Sequence, residues 1–120
     1  MRLDHLALSV RDREVSRRFY ETYFGFDRDA QEYDDGVLII RNEDGFNLAL
    51  GPGPGDAPMP EFVHFGFDAA DPASVHAFRD RLEADGVTIV ESWDEPAYVS
   101  FKCLDPDGYV VEVSWEPPRS

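Results

Sequence analysis

One cysteine and one lysine stand among the 120 residues of this chain. The lone Cys103 excludes an internal disulfide and any metal cluster built on several thiolates, and it fits a reducing cytoplasm. Long hydrophobic runs are missing too: none approaches the ~20 residues needed to cross a bilayer. The opening stretch MRLDHLALSV breaks its short apolar run with Asp4 and His5, so it does not read as a secretion signal. Positive charge is scarce. Eleven Lys and Arg face 25 Asp and Glu, leaving a formal net charge of −14. Such a surface repels phosphate backbones and anionic lipid alike, so neither nucleic acid nor membrane is expected as a partner. What remains is a chain of one-domain length with 42% hydrophobic residues. At this size a folded chain buries about two-thirds of the surface its unfolded form exposes.

The chain repeats itself. DHLALSV (4–10) and VHFGFDA (63–69) share a strand-like alternation and a histidine, and His5 and His64 lie 59 positions apart. A helix start follows each: Asp12 as N-cap in the first half, Asp71 then Pro72 in the second. Val15, Phe19 and Tyr23 mark one apolar helix face; Val75, Phe78 and Leu82 mark the other. Gly25 and Gly86 lie just past the helices, where the left-handed conformation favours glycine. Strand text follows as GVLIIRN and FNLAL around Asp44-Gly45 in the first half. In the second it is VTIVES, AYVSFKCL and YVVEVSW, with a turn at Asp105–Gly108. These turns lie 63 apart. The expected order is β-α-β-β-β twice within one domain. Module 1 covers about 1–51, a Gly/Pro linker that excludes helix or central strand about 52–60, and module 2 about 61–116.

Aligning the turns sets Ala49 opposite Glu112, and aligning the first strands sets His5 opposite His64. Two halves related by a pseudo-twofold would bring these four positions around one axis. Three are metal-ligand types, and two imidazoles with one carboxylate leave coordination positions open, as in reactive sites. Strand parity agrees. His5 lies opposite the Leu6/Leu8/Val10 face expected under the helix, His64 shares a face with Phe62 and Gly66, and Glu112 lies opposite Val111 and Val113.

The paired βαβββ pattern, with the LDHLALSV and PEFVHFGF strands and the LDPDGYVVEV hairpin, resembles the vicinal oxygen chelate superfamily. That group includes glyoxalase I, fosfomycin-resistance enzymes, bleomycin-binding proteins and extradiol dioxygenases. The resemblance implies an α+β fold in which two tandem βαβββ modules form an eight-stranded incomplete barrel. It implies one divalent metal ion (Fe, Mn, Ni or Zn) held by His5, His64 and Glu112, a small-molecule substrate, and a homodimer in which His5 can complete the partner's site. Three positions depart from named relatives. Glyoxalase I has a second glutamate where Ala49 stands, extradiol dioxygenases have a tyrosine where Lys102 stands, and fosfomycin-transfer enzymes have a threonine where Ala7 stands.

The expectation is a cytoplasmic metal-dependent lyase, isomerase or dioxygenase, with the metal as Lewis acid, and not glutathione-dependent glyoxalase I. The alternative is a non-catalytic binding protein that sequesters a small molecule or drug, as bleomycin-resistance proteins do. Lys102 is either a solvated strand lysine or a catalytic residue that binds a substrate oxyanion or acts as an acid. Cys103, one residue on, faces the core. His76 reads as surface, and Tyr98 and Trp93 either line the mouth of the cup or pack in the core.

Overall fold

The computed structural model describes residues 1–53 and 59–119. The chain divides into two compact units, Met1–Pro58 and Met59–Ser120. The first holds β1 (His5–Val10), α1 (Arg13–Phe24), β2 (Arg28–Glu32), β3 (Leu38–Arg41) and β4 (Asn47–Pro52). The second holds β5 (Phe65–Asp68), α2 (Pro72–Ala84), β6 (Ile89–Glu95), β7 (Tyr98–Leu104) and β8 (Val110–Trp115). Each unit is a four-stranded sheet with one helix on it, in the orders β1-β4-β3-β2 and β5-β8-β7-β6. In both, the first strand pairs parallel to the last and the other pairs are antiparallel. This is the α+β double module that the repeat implied.

Local chemistry sets the helix ends. Asp12 accepts hydrogen bonds from the amides of Glu14 and Val15, and Asp71 accepts one of 2.7 Å from Ser74, with Pro72 at the first turn. Caps of this kind stabilise a helix by about 1 kcal/mol each. Gly25 and Gly86 take left-handed backbone just past the helices. The buried face of α1 is turned by one residue from the expected one: Ser16, Phe19 and Tyr20 are buried, while Val15 is exposed. Aromatic bulk decides this. Tyr20 meets Phe19, Phe24 and Phe26 in one ring cluster. On α2, Val75 and Leu82 are buried and Phe78 stacks on Phe101 of β7.

Two strand features depart from the sequence reading. β2 has no apolar alternation because it is the sheet's edge and wholly exposed; its charged side chains suit an unpaired edge. Pro52, expected to open the linker, instead extends β4 opposite Val10, following Gly51 opposite Ser9. Proline is tolerated there because β3 ends at Leu38 opposite Leu50, so no ladder partner awaits an amide at 52. Most of the expected linker (54–58) lies outside the described residues.

The hairpin turns match in detail. Gly45 and Gly108 both have φ above +80°. Asn42 and Asp105 use side-chain oxygens to hold the amides of Phe46 and Tyr109. Asp105 is buried and accepts a second bond from Asp107 N–H, which compensates its desolvation. No helix among the described residues is long and apolar enough to cross a membrane.

Candidate functional site

The helix of the second unit covers one sheet face, where Val99, Phe101, Cys103, Val111 and Val113 are buried. Alternation sends Glu112 to the other face, directly between Gly66 of β5 and Lys102 of β7. The equivalent row in the first unit is Ala7, Ala49 and Ile39. Position for position, one unit carries Gly, Glu and Lys where the other carries only apolar side chains. Within this row, the polar side chains belong to the second unit alone.

Glycine at 66 is required by space. A Cβ there would stand 3.0 Å from the Glu112 carbonyl oxygen and 3.2 Å from its Cβ. Glu112 is therefore held close against β5, at the end from which His64 enters. His64 itself lies just before the strand, in a segment begun by a turn in which Val63 N–H donates to Pro60 O. Phe62 in that turn has φ +74°, left-handed backbone that a bulky side chain adopts at a cost of about 1–3 kcal/mol. The strained turn presents the Phe62 carbonyl to His64 Nδ1 at 2.7 Å.

That contact fixes the ring. A carbonyl only accepts, so Nδ1 carries the proton, and in the neutral ring Nε2 keeps its lone pair. Nε2 faces Glu112 Oε1 at 3.4 Å, beyond hydrogen-bond length, with side-chain exposures of 21% and 13%. The carboxylate's other oxygen, Oε2, accepts a 2.7 Å hydrogen bond from Tyr98 Oη. Burial first, and then the Glu112 contact, hold the Tyr98 phenol above its ordinary pKa, while the Ser100 and Ser114 hydroxyls act in the opposite sense. Ser100 Oγ is buried and makes no hydrogen bond of ordinary geometry.

Beyond Lys102 the face continues onto β6 because of a bulge. Ile89 pairs with Cys103, yet Glu91 pairs with Lys102, so one extra residue carries Glu91 and Trp93 onto the face of Lys102 and Glu112. Trp93 Nε1 donates to Glu91 Oε1 at 2.6 Å and is the main reason that carboxyl sits below its ordinary pKa. Lys102 Nζ lies 3.4 Å from both Glu91 oxygens and 5.3 Å from the centre of the Phe62 ring.

His64 and Glu112 are thus brought together, with Lys102 on the same face. His5 belongs to the other unit, where it is exposed and its Nδ1 is hydrogen-bonded at 2.8 Å to Asp4. The Asp4 carboxyl is lowered in pKa chiefly by that bond. Among the described residues no group of three or more His, Cys, Asp or Glu side chains gathers closely enough to hold a metal ion. The two-donor pair is nevertheless suited to one. Its 3.4 Å span matches the ~3.0–3.4 Å between neighbouring donors of one ion at bond lengths of ~2.1 Å, and a backbone carbonyl orients the imidazole. Tyr98 is the residue that sequence reading underweighted, since nothing in the strand pattern shows that its phenol reaches Glu112. Cys103 is fully buried, with its thiol pushed up to about 11 by desolvation. His76 lies on the surface, 3.6 Å from Asp94.

Comparison with known proteins settles the family, because residues 2–113 match the model of the Glyoxalase/Bleomycin resistance protein/Dioxygenase superfamily. The chain belongs to that superfamily. The uncharacterized protein PA2024 of Pseudomonas aeruginosa is 33% identical to it, over 97% of this chain and 89% of its own length. The structure of a possible glyoxalase from Bacillus cereus is similar at 30% identity, with a TM-score of 0.79 over 94% of this chain and 97% of its own. The fosfomycin resistance protein FosX of Listeria monocytogenes superposes with a TM-score of 0.80 over 98% of this chain and 94% of its own. At 17% identity that likeness speaks for the superfamily fold alone.

Proposed function

We propose that this chain is a divalent-metal-dependent enzyme acting on a small substrate that chelates through oxygen. The observation that carries this reading is the pair His64 Nε2 and Glu112 Oε1 at 3.4 Å, with Nδ1 tied to Phe62 and Oε2 tied to Tyr98. Two electron-rich donors facing each other repel unless a proton or a cation lies between them. His64 and Glu112 would hold the ion, with His5 as third ligand, supplied by this chain or by a second copy in a homodimer. Asp4 orients His5 as the Phe62 carbonyl orients His64. Bound there, a divalent ion supplies Lewis acidity toward a carbonyl or enolate oxygen.

The chain's own residues then have separate tasks. Tyr98 fixes the rotation of the Glu112 carboxylate, and Lys102 offers positive charge one strand away to an oxyanion of the substrate. Ala49 supplies no second carboxylate for proton transfer, which argues against the glutathione-dependent glyoxalase I reaction.

Chelation and reloading test the proposal. Protein stripped by EDTA and reloaded with Fe²⁺, Mn²⁺, Ni²⁺ or Zn²⁺ is assayed against catechols and α-oxoaldehyde adducts. Turnover lost on stripping and restored by one ion supports it. Turnover indifferent to chelation, or ligand capture by metal-free protein without turnover, overturns it; the latter is the behaviour of a sequestering module.

A further inference from the structure

We propose that Lys102 and Phe62 form an anion subsite beside the metal ligands, and that the natural ligand is a small planar carboxylate. Its carboxylate would sit at Lys102, its flat body on Phe62, and a second oxygen toward His64 and Glu112. The second oxygen rests on the metal reading above; the carboxylate subsite stands on four observations of its own.

Lys102 is the chain's only lysine, and its side chain is 12% exposed, so its stem is held and its ammonium is placed. Its partner Glu91 is already committed, since Trp93 takes Oε1 at 2.6 Å while Lys102 stands off at 3.4 Å from each oxygen. Charge-assisted N–H···O bonds are ordinarily about 2.7–2.9 Å. An ammonium with three donors and two long contacts retains capacity for an anionic oxygen. Phe62 is 82% exposed on a left-handed backbone, an apolar ring held out in solvent where burial does not repay the strain. That ring touches both ends of the subsite: it lies edge to face with His64 at 5.2 Å between centres and 5.3 Å from Lys102 Nζ. The ammonium stands over the ring face, so a flat molecule beside Phe62 would have both the ammonium and the imidazole within reach. In the first unit the residue equivalent to Lys102 is Ile39, so the subsite exists once per chain.

Salicylate and its neutral amide, salicylamide, are the probes, titrated calorimetrically into Ni²⁺-loaded and metal-free full-length protein. The wild type is expected to bind salicylate more tightly than salicylamide. Lys102→Met should weaken salicylate about tenfold or more and leave salicylamide unchanged, as expected for loss of a bond to a charged group. Lys102→Arg, which keeps the charge, should bind salicylate within a few-fold of wild type and guards against a folding defect in the methionine variant. Equal salicylate affinity in wild type and Lys102→Met, no preference over the amide, or no salicylate binding at all overturns the subsite. Lys102-dependent binding that is indifferent to Ni²⁺ supports the subsite and overturns the metal reading alone.

Discussion

Tyr98 Oη and Glu112 Oε2 are joined by a 2.7 Å hydrogen bond that crosses from β7 to β8. The bond occupies one carboxylate oxygen and leaves Oε1 facing His64 Nε2. Tyr98 is a positioning residue on this account. Partners of this kind typically contribute 10–100-fold to metal affinity. Tyr98→Phe should therefore bind Zn²⁺ about 10–100-fold more weakly in competition with a chelating dye, with an unchanged far-UV spectrum. Equal affinity would show that Glu112 is oriented without the phenol.

Gly66 is the point at which β5 and Glu112 approach most closely. Gly66→Ala places a methyl group 3.0 Å from a backbone oxygen, which cannot rotate away. Overpacking of this kind costs about 1–3 kcal/mol, so the denaturant midpoint should fall while the slope of the transition is kept. An unchanged midpoint would mean that the β5–β8 ladder has slack.

Cys103 carries the clearest pH signature. Its thiol is raised from 9.0 to about 11, so between these values the unfolded chain loses a proton that the folded chain keeps. The stabilisation is present in full below pH 9 and is lost as pH rises toward 11. Urea unfolding across pH 8–11 should show falling stability, and Cys103→Ala should flatten that slope. Slow labelling of the native protein by a thiol reagent at pH 8 accompanies it, because the residue is buried.

Much of the fold was written in local chemistry. Asp71-Pro72, the glycines past the helices and the Asp-Gly turns act through side-chain capping and left-handed backbone, and both are readable residue by residue. β2 was not readable, because a solvent-exposed edge strand such as RDAQE imposes no apolar alternation. The α1 face was misplaced by one residue because three aromatics near Tyr20 outweigh the simple four-residue spacing. At the site, parity set Glu112 opposite Val111 and Val113 and Lys102 opposite Cys103, each within its own strand, and the β7–β8 register is what brings the two onto one face. Glu91 and Trp93 join that face only through a bulge at Val90, where the alternation shifts by one residue. The Tyr98 contact depends on how far a phenol reaches along a twisted pair of strands, and spacing does not encode that. The strain at Phe62 is a property of the turn's backbone and leaves no mark on composition.

Metal stoichiometry tests the central claim most directly. Wild-type protein and the variants His5→Ala, His64→Ala and Glu112→Gln are dialysed against Mn²⁺, Fe²⁺, Ni²⁺ or Zn²⁺ and analysed for bound metal by mass spectrometry. The account predicts about one ion per chain in the wild type, in keeping with a three-ligand open site, and loss of that ion in each variant with the fold intact. A wild type that retains no divalent ion, or variants that retain it undiminished, would contradict the account.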